Sequence, residues 1–293
     1  FRREFRHSGE RGTHHRIMND LAGLRDKIDA IDTDLLRLLN ERALLAKEIG
    51  AIKNLHSLPI YSPVREMKLL RSLVERSEGP LTREAIHAIY REIMSASIAL
   101  EKDVAIACPG PIGSASHRIA LAKFGSCVRY LCADSISQVF EDVATGRADC
   151  GVVPLEDPGH GFVNATLDEL AHTNLSICAE IYPDSSANDK TSDGRYIIIG
   201  SQINTPSGND QTMVLLRIEN KPGSLVAALE PFKALHMNLT HFATRSARAA
   251  DETLFFVQTD GHKSDLQIPE LLEALSKNCR ELKILGSYPK PVL

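Results

Sequence analysis

The chain has 293 residues, 43% hydrophobic and 25% charged, with a formal net charge of -4. This is ordinary globular composition with no apolar run near the roughly 18 residues of a membrane span, and it lacks the basic field that nucleic-acid binding needs. The six cysteines form no CxxC pair and no cluster with histidine, so neither a structural metal nor a disulfide framework is expected; reduced thiols in a cytoplasm and a chemistry without cofactors are.

Residues 1–17 (FRREFRHSGERGTHHRI) carry five Arg against two Glu and lack the apolar segment of a secretion signal. They are expected to be a disordered leader ahead of a native start at Met18, with Asn19 and Asp20 as a helix cap. From Leu21 the apolar residues Leu24, Ile28, Ile31, Leu35, Leu38, Leu45, Ile49 and Ile52 follow a 3-4 spacing, which predicts one helix with a buried seam to about Asn54. At 1.5 Å per residue it would span about 50 Å, more than a domain of this size can bury alone, so a homodimer or larger homo-oligomer is expected. Pro63 suits the first turn of a second helix to Arg76, and a third fits Thr82 to Lys102, making 18–102 an all-α three-helix unit.

Short strands at Val104–Cys108, Val128–Leu131 and Cys150–Pro154 then alternate with helices at about 116–124 and 135–145, the βαβα order of a parallel sheet. A strand at 177–182, a polar run at 183–194 (PDSSANDKTSDG) and a strand at 195–200 complete an α/β unit over 103–200. After a linker at 201–211, residues 212–293 spell β-α-β-β-α-β, a ferredoxin-like α+β unit.

Arg42 stands in the seam where the spacing asks for Leu, and a charge there must be paired or must line a cavity holding an anion. Lys53, eleven residues on, points from the same face with only about 20° of drift, whereas Arg25 is turned away by roughly a quarter turn and could reach a partner subunit. Arg65 and Glu66 are adjacent on the second helix; Ser97 and Glu101 share a face of the third at i,i+4. Taken singly, Arg25, Lys53 and Arg65 read as solvated helix charges. Together with Arg42, several cations and one or two carboxylates in a helical bundle suit a small dianionic substrate.

The runs LRDKIDAIDTDLLRLLNERALLAKEIGAIK, PIYSPVRE and REIMSASIALE resemble the helical chorismate mutase domain of bifunctional chorismate mutase/prephenate dehydratase enzymes. The resemblance implies an intertwined dimer in which Arg25 enters the neighbour's site, and a Claisen rearrangement of chorismate to prephenate that needs no covalent catalyst. It implies further that Arg25 and Arg42 hold the carboxylates, that Lys53 donates to the ether oxygen or a carboxylate, and that Glu66 accepts from the ring hydroxyl. Glu101, where relatives have Gln or Glu, would then act only when protonated, so turnover should fall as pH rises and Glu101→Gln should flatten the profile. Ser62 replaces the Asp usual in this segment, which leaves open whether that position serves through its backbone or by orienting Arg65; Ser97 contributes locally.

GPIGSASHRIALAKFG and GVVPLEDPGHGFVNATLDEL resemble the two signatures of prephenate dehydratase, through Ser114, Ser116 and His117 in the first and Glu156 and Thr166 in the second. The pattern breaks at Asp157-Pro158, where the family has Asn-Ser, and at Gly194-Arg195-Tyr196, where it has Thr-Arg-Phe. The family's second lobe has no counterpart between Tyr182 and Arg195, so a single-lobe remnant with impaired dehydratase chemistry is expected. IENKPGSLVAALEPFKALHMNLTHFATRS resembles the ACT regulatory domain, which implies L-phenylalanine as effector at Gly223, Ser224, Leu225 and Asn238; a plain turn glycine at 223 is the competing reading. A fully bifunctional enzyme and a non-catalytic amino-acid sensor are the two alternatives to an active mutase with an impaired dehydratase domain.

Overall fold

A computed structural model describes residues 8–56, 58–59, 61–183, 194–247 and 251–291. Helix α1 spans Ser8–Leu55, 48 residues and about 72 Å at 1.5 Å per residue. The expected disordered leader is thus corrected from Ser8 onward, where the backbone continues α1 past the anticipated cap. No proline precedes Pro59, so nothing in the chain stops a helix once nucleated. Helix α2 (Pro63–Arg76) starts at Pro63 with Ser62 as its cap, and α3 (Arg83–Glu101) is capped by Thr82, each hydroxyl accepting from a backbone N–H three residues on.

Within one chain the seam of α1 is only partly covered. Its C-terminal part packs on α3, but Leu21, Leu24, Ile28, Ile31, Leu35 and Leu38 are each 43–59% exposed. The apolar spacing sets the helix; the described residues of one chain leave its seam from Leu21 to Leu38 uncovered.

The α/β unit contains β1 (Ala105–Pro109), α4 (Ala115–Phe124), β2 (Arg129–Ala133), α5 (Ile136–Ala144), β3 (Cys150–Asp157), β4 (Gly161–Phe162), α6 (Asn164–His172), β5 (Ser176–Ile181) and β6 (Arg195–Gly200). The strands lie in the order β2-β1-β3-β6-β5, with β4 on β3. The sheet is mixed rather than all parallel: β1 runs parallel to β2 and β3, whereas β6 is antiparallel to β3 and β5. A parallel step needs a crossover, usually a helix, and the polar stretch between β5 and β6 offers no amphipathic pattern for one.

The C-terminal unit has β7 (Asp210–Glu219), α7 (Ser224–Ala234), β8 (Leu239–Ser246), β9 (Glu252–Asp260), α8 (Gln267–Ser276) and β10 (Glu281–Pro289) in the sheet order β10-β7-β9-β8. This is the expected split βαβ arrangement, entered two residues before the expected start at 212. One face of its sheet, with Val214, Leu216 and Val257, is covered by α7 and α8. The other face, with Met213, Leu215, Phe256 and Tyr288, shares a single core with Val139, Leu155, Leu167 and Ile197 of the α/β unit. The opposite face of the six-stranded sheet packs Ile106, Val152 and Ile198 on α4 and takes in Tyr61 from the segment before α2. All three units therefore touch. No helix among the described residues is long and apolar enough to cross a membrane.

Candidate functional site

Where α1, α2 and α3 converge they enclose a cavity of about 480 Å³ lined by Arg42, Lys53, Ser62, Arg65, Glu66, Ser97 and Glu101. Seven of the eight positions singled out for the helical unit are thus brought together. The eighth, Arg25, lies seventeen residues before Arg42 on the exposed part of α1, about 25 Å away along the helix axis, and cannot reach this cavity in its own chain.

The polar groups are cross-tied between helices. Arg42 donates to the Ser97 hydroxyl, which itself donates to the Ile93 carbonyl at 2.8 Å. Lys53 Nζ meets Glu101 Oε2 at 2.8 Å, and Asn54 donates to the Glu101 carbonyl at 3.2 Å. The Glu101 side chain is only 9% exposed, so this pair is better insulated from solvent than a surface salt bridge. Gly50 permits the approach: a Cβ there would stand 2.7 Å from Glu101 Cα. The Ser62 hydroxyl lies 3.4 Å from the Arg65 backbone N–H, a local cap that leaves the Arg65 side chain to the cavity.

Tyr61, Arg91, Lys123 and Phe124 also line the cavity, although none was singled out from the sequence as a site residue. Lys123 and Phe124 come from α4 of the α/β unit. Lys123 Nζ lies 2.8 Å from Glu66 Oε1, and the Phe124 ring meets Tyr61 edge-on with centroids 4.9 Å apart. Burial, and next the Glu66 carboxylate, hold the Tyr61 phenol well above its usual range, so it stays neutral. Lys123 and Phe124 reach the cavity only through the packing of α4 on α3, which helical periodicity does not encode.

The dehydratase-like residues are occupied with local structure. Ser114 caps α4, accepting from the His117 N–H and donating to the Pro109 carbonyl; His117 Nδ1 accepts from the Gly113 N–H. Ser116 and Thr166 are buried, and Thr166 donates to the Pro154 carbonyl at 2.6 Å. Glu156 lies 3.6 Å from Arg195. Arg195 is 4% exposed and turned toward the C-terminal unit, with Glu180 at 2.6 Å and Gln258 at 2.9 Å. Burial pushes the Glu180 carboxyl up against the opposing pull of Arg195.

In the C-terminal unit Gly223 adopts φ +86° at the start of α7, a left-handed conformation that disfavours any side chain. Ser224 opens the helix, Leu225 packs against the α7/α8 core, and the Asn238 carbonyl accepts from Thr259. Among the described residues no group of His, Cys, Asp and Glu could hold a metal ion.

Comparison with known proteins bears on each unit. Residues 24–102 match the chorismate mutase type II family and residues 106–185 the prephenate dehydratase family. A bifunctional chorismate mutase/prephenate dehydratase of Aquifex aeolicus is 33% identical over 360 aligned positions, covering 94% of this chain and 99% of that protein. Those 360 positions exceed the 293 residues here, so the relative has residues without a counterpart in this chain. The crystal structure of prephenate dehydratase from Streptococcus mutans superimposes with a TM-score of 0.54 at 25% identity, covering 63% of this chain and 97% of that one. Prephenate dehydratase from Arthrobacter aurescens in complex with L-Phe gives 0.55 at 18% identity, covering 64% and 90%, a likeness of fold.

Proposed function

Since the chain belongs to the bifunctional chorismate mutase/prephenate dehydratase family, we propose that it is a working chorismate mutase fused to a dehydratase domain that has lost its second lobe. The observation that carries this reading is the cavity of about 480 Å³ in which Arg42, Lys53 and Arg65 face Glu66 and Glu101.

The rearrangement breaks one C–O bond and forms one C–C bond within a single dianionic molecule, with no net proton transfer. The protein must therefore hold a compact conformer and stabilise charge on the departing ether oxygen. Arg42, fixed by Ser97, and Arg65 are placed to hold carboxylates. Lys53 is the cation nearest Glu101, and the two together face the ether oxygen. Glu66 accepts from the ring hydroxyl. Arg25 reaches a site only in a second copy, whose docking would also cover the exposed α1 seam, so the working unit is a homodimer with shared sites.

Two features support loss of the dehydratase chemistry. Antiparallel neighbours β5 and β6 are separated by only the short run between Tyr182 and Gly194, and the described residues of this unit form one sheet with no opposing lobe. Gly194 also stands where a hydroxyl would help expel the leaving group, and its Arg195 neighbour is engaged in an ion pair with Glu180. A cleft with one wall cannot exclude water. The C-terminal unit, similar to an ACT domain, serves as a phenylalanine-responsive module through Gly223, Ser224, Leu225 and Asn238. Supplying chorismate to the purified protein tests the reading. Prephenate should accumulate without phenylpyruvate, and Arg42→Ala should abolish its formation. Robust phenylpyruvate formation would restore the fully bifunctional reading, and absence of any turnover would leave the sensor.

A further inference from the structure

The α/β unit is more than a spacer behind the helical one. The chain after α4 is fastened to α3, the helix that carries Ser97 and Glu101. Glu92 accepts from both the N–H and the hydroxyl of Ser126, at 3.0 and 2.8 Å, and Ser95 accepts from the Cys127 N–H at 3.0 Å. At Gly125, whose φ is +75°, a Cβ would lie 2.6 Å from Ser95 Cβ, so the close approach depends on the glycine. These contacts fix the last turn of α4, and with it Lys123, over the mouth of the cavity.

Lys123 Nζ is 2.8 Å from Glu66 Oε1, with side chains 26% and 15% exposed. The ammonium fixes one carboxylate oxygen of Glu66, and the Tyr61 phenol lies close enough to feel the same carboxylate. Phe124 closes the adjoining wall against Tyr61. The contact spans 57 residues and two structural units.

We propose that Lys123 is a positioning residue of the mutase site, holding Glu66 for the ring hydroxyl of the substrate, so that the shortened dehydratase-like unit forms one wall of the other activity's pocket. This rests on the mutase reading given above. The test uses the full chain and steady-state kinetics on chorismate. Lys123→Met should lower kcat/KM about tenfold, mainly through KM because the hydroxyl contact is present in substrate and transition state alike, and Lys123→Arg should recover most of the loss. In a Glu66→Gln background Lys123→Met should cost no more than about twofold, because its effect passes through Glu66. Independent, multiplicative losses from the two substitutions, or full activity in Lys123→Met while Arg42→Ala is dead, would overturn the role of Lys123 and leave the mutase reading intact. Absence of turnover in the unaltered protein would overturn both.

Discussion

Replacing Gly50 with Ala tests whether the site depends on the close approach of α1 and α3. The new Cβ would stand 2.7 Å from Glu101 Cα, 2.8 Å from its Cβ and 3.0 Å from its Cγ. Ordinary carbon contacts lie at about 3.5–4.0 Å, so the helices must separate by roughly 1 Å, and no rotamer change relieves a clash with backbone. Overpacking of this kind costs about 1–3 kcal/mol, whereas Ala in place of Gly in a helix returns about 1 kcal/mol. Net stability should therefore fall by no more than about 2 kcal/mol, a shift of a few degrees in Tm. Activity should suffer more, because the separation pulls Glu101 from Lys53 and Ser97 from Arg42, and a misplacement of about 1 Å can cost on the order of a hundredfold. Chorismate turnover and thermal unfolding measured on the same preparation separate the two effects. Wild-type kcat/KM in Gly50→Ala would refute the claim that this spacing sets the chemistry.

Other outcomes follow from the same geometry. Arg25→Ala and Arg42→Ala, inactive separately, should regain about a quarter of wild-type turnover when refolded together, since half of the statistical dimers carry one intact site of two; no recovery would mean that Arg25 is not donated between subunits. Calorimetric titration with L-phenylalanine should give a saturable heat that Gly223→Val abolishes, and a flat trace for the unaltered protein would end the effector reading. Burial, and next the nearby Arg195, lower the His241 imidazole from 6.5 to about 4. Between those values the unfolded chain binds a proton that the native state does not, so stability should drop as pH falls through this window and be level above it. Urea midpoints at pH 7.5 and 5 should differ less in His241→Gln, and an unchanged difference would rule this group out.

What was legible depended on whether a signal was local. The helix boundaries at Pro63 and Thr82, and the starts of α4 and α5 within a residue of 116 and 135, sit where residue type and apolar spacing agree. Arg42 stood out because a charge interrupted the seam, and Ser97 and Glu101 because they share a helical face. Helix α6 starts after Val163 with no side-chain cap, so the start signal that marks α5, of the same nine residues, is missing. The direction of β6 depended on how β5 and β6 are joined, which periodicity does not encode. Lys123 sits in the last turn of α4, and nothing near it in the chain announces that Glu66 will be its neighbour.

The shared core between the six-stranded sheet and the C-terminal sheet has a consequence for how this protein can be divided. A Cβ at Gly286 of β10 would lie 2.3 Å from the Ile177 carbonyl of β5, so the two units meet at backbone distance. A cut in the connecting segment 201–209 would not release two independent globules; each would expose half of one hydrophobic layer. Residues 103–291 should therefore melt in a single transition. Ligand gained at one end would then be felt as resistance to unfolding at the other, without any hinge to carry the message.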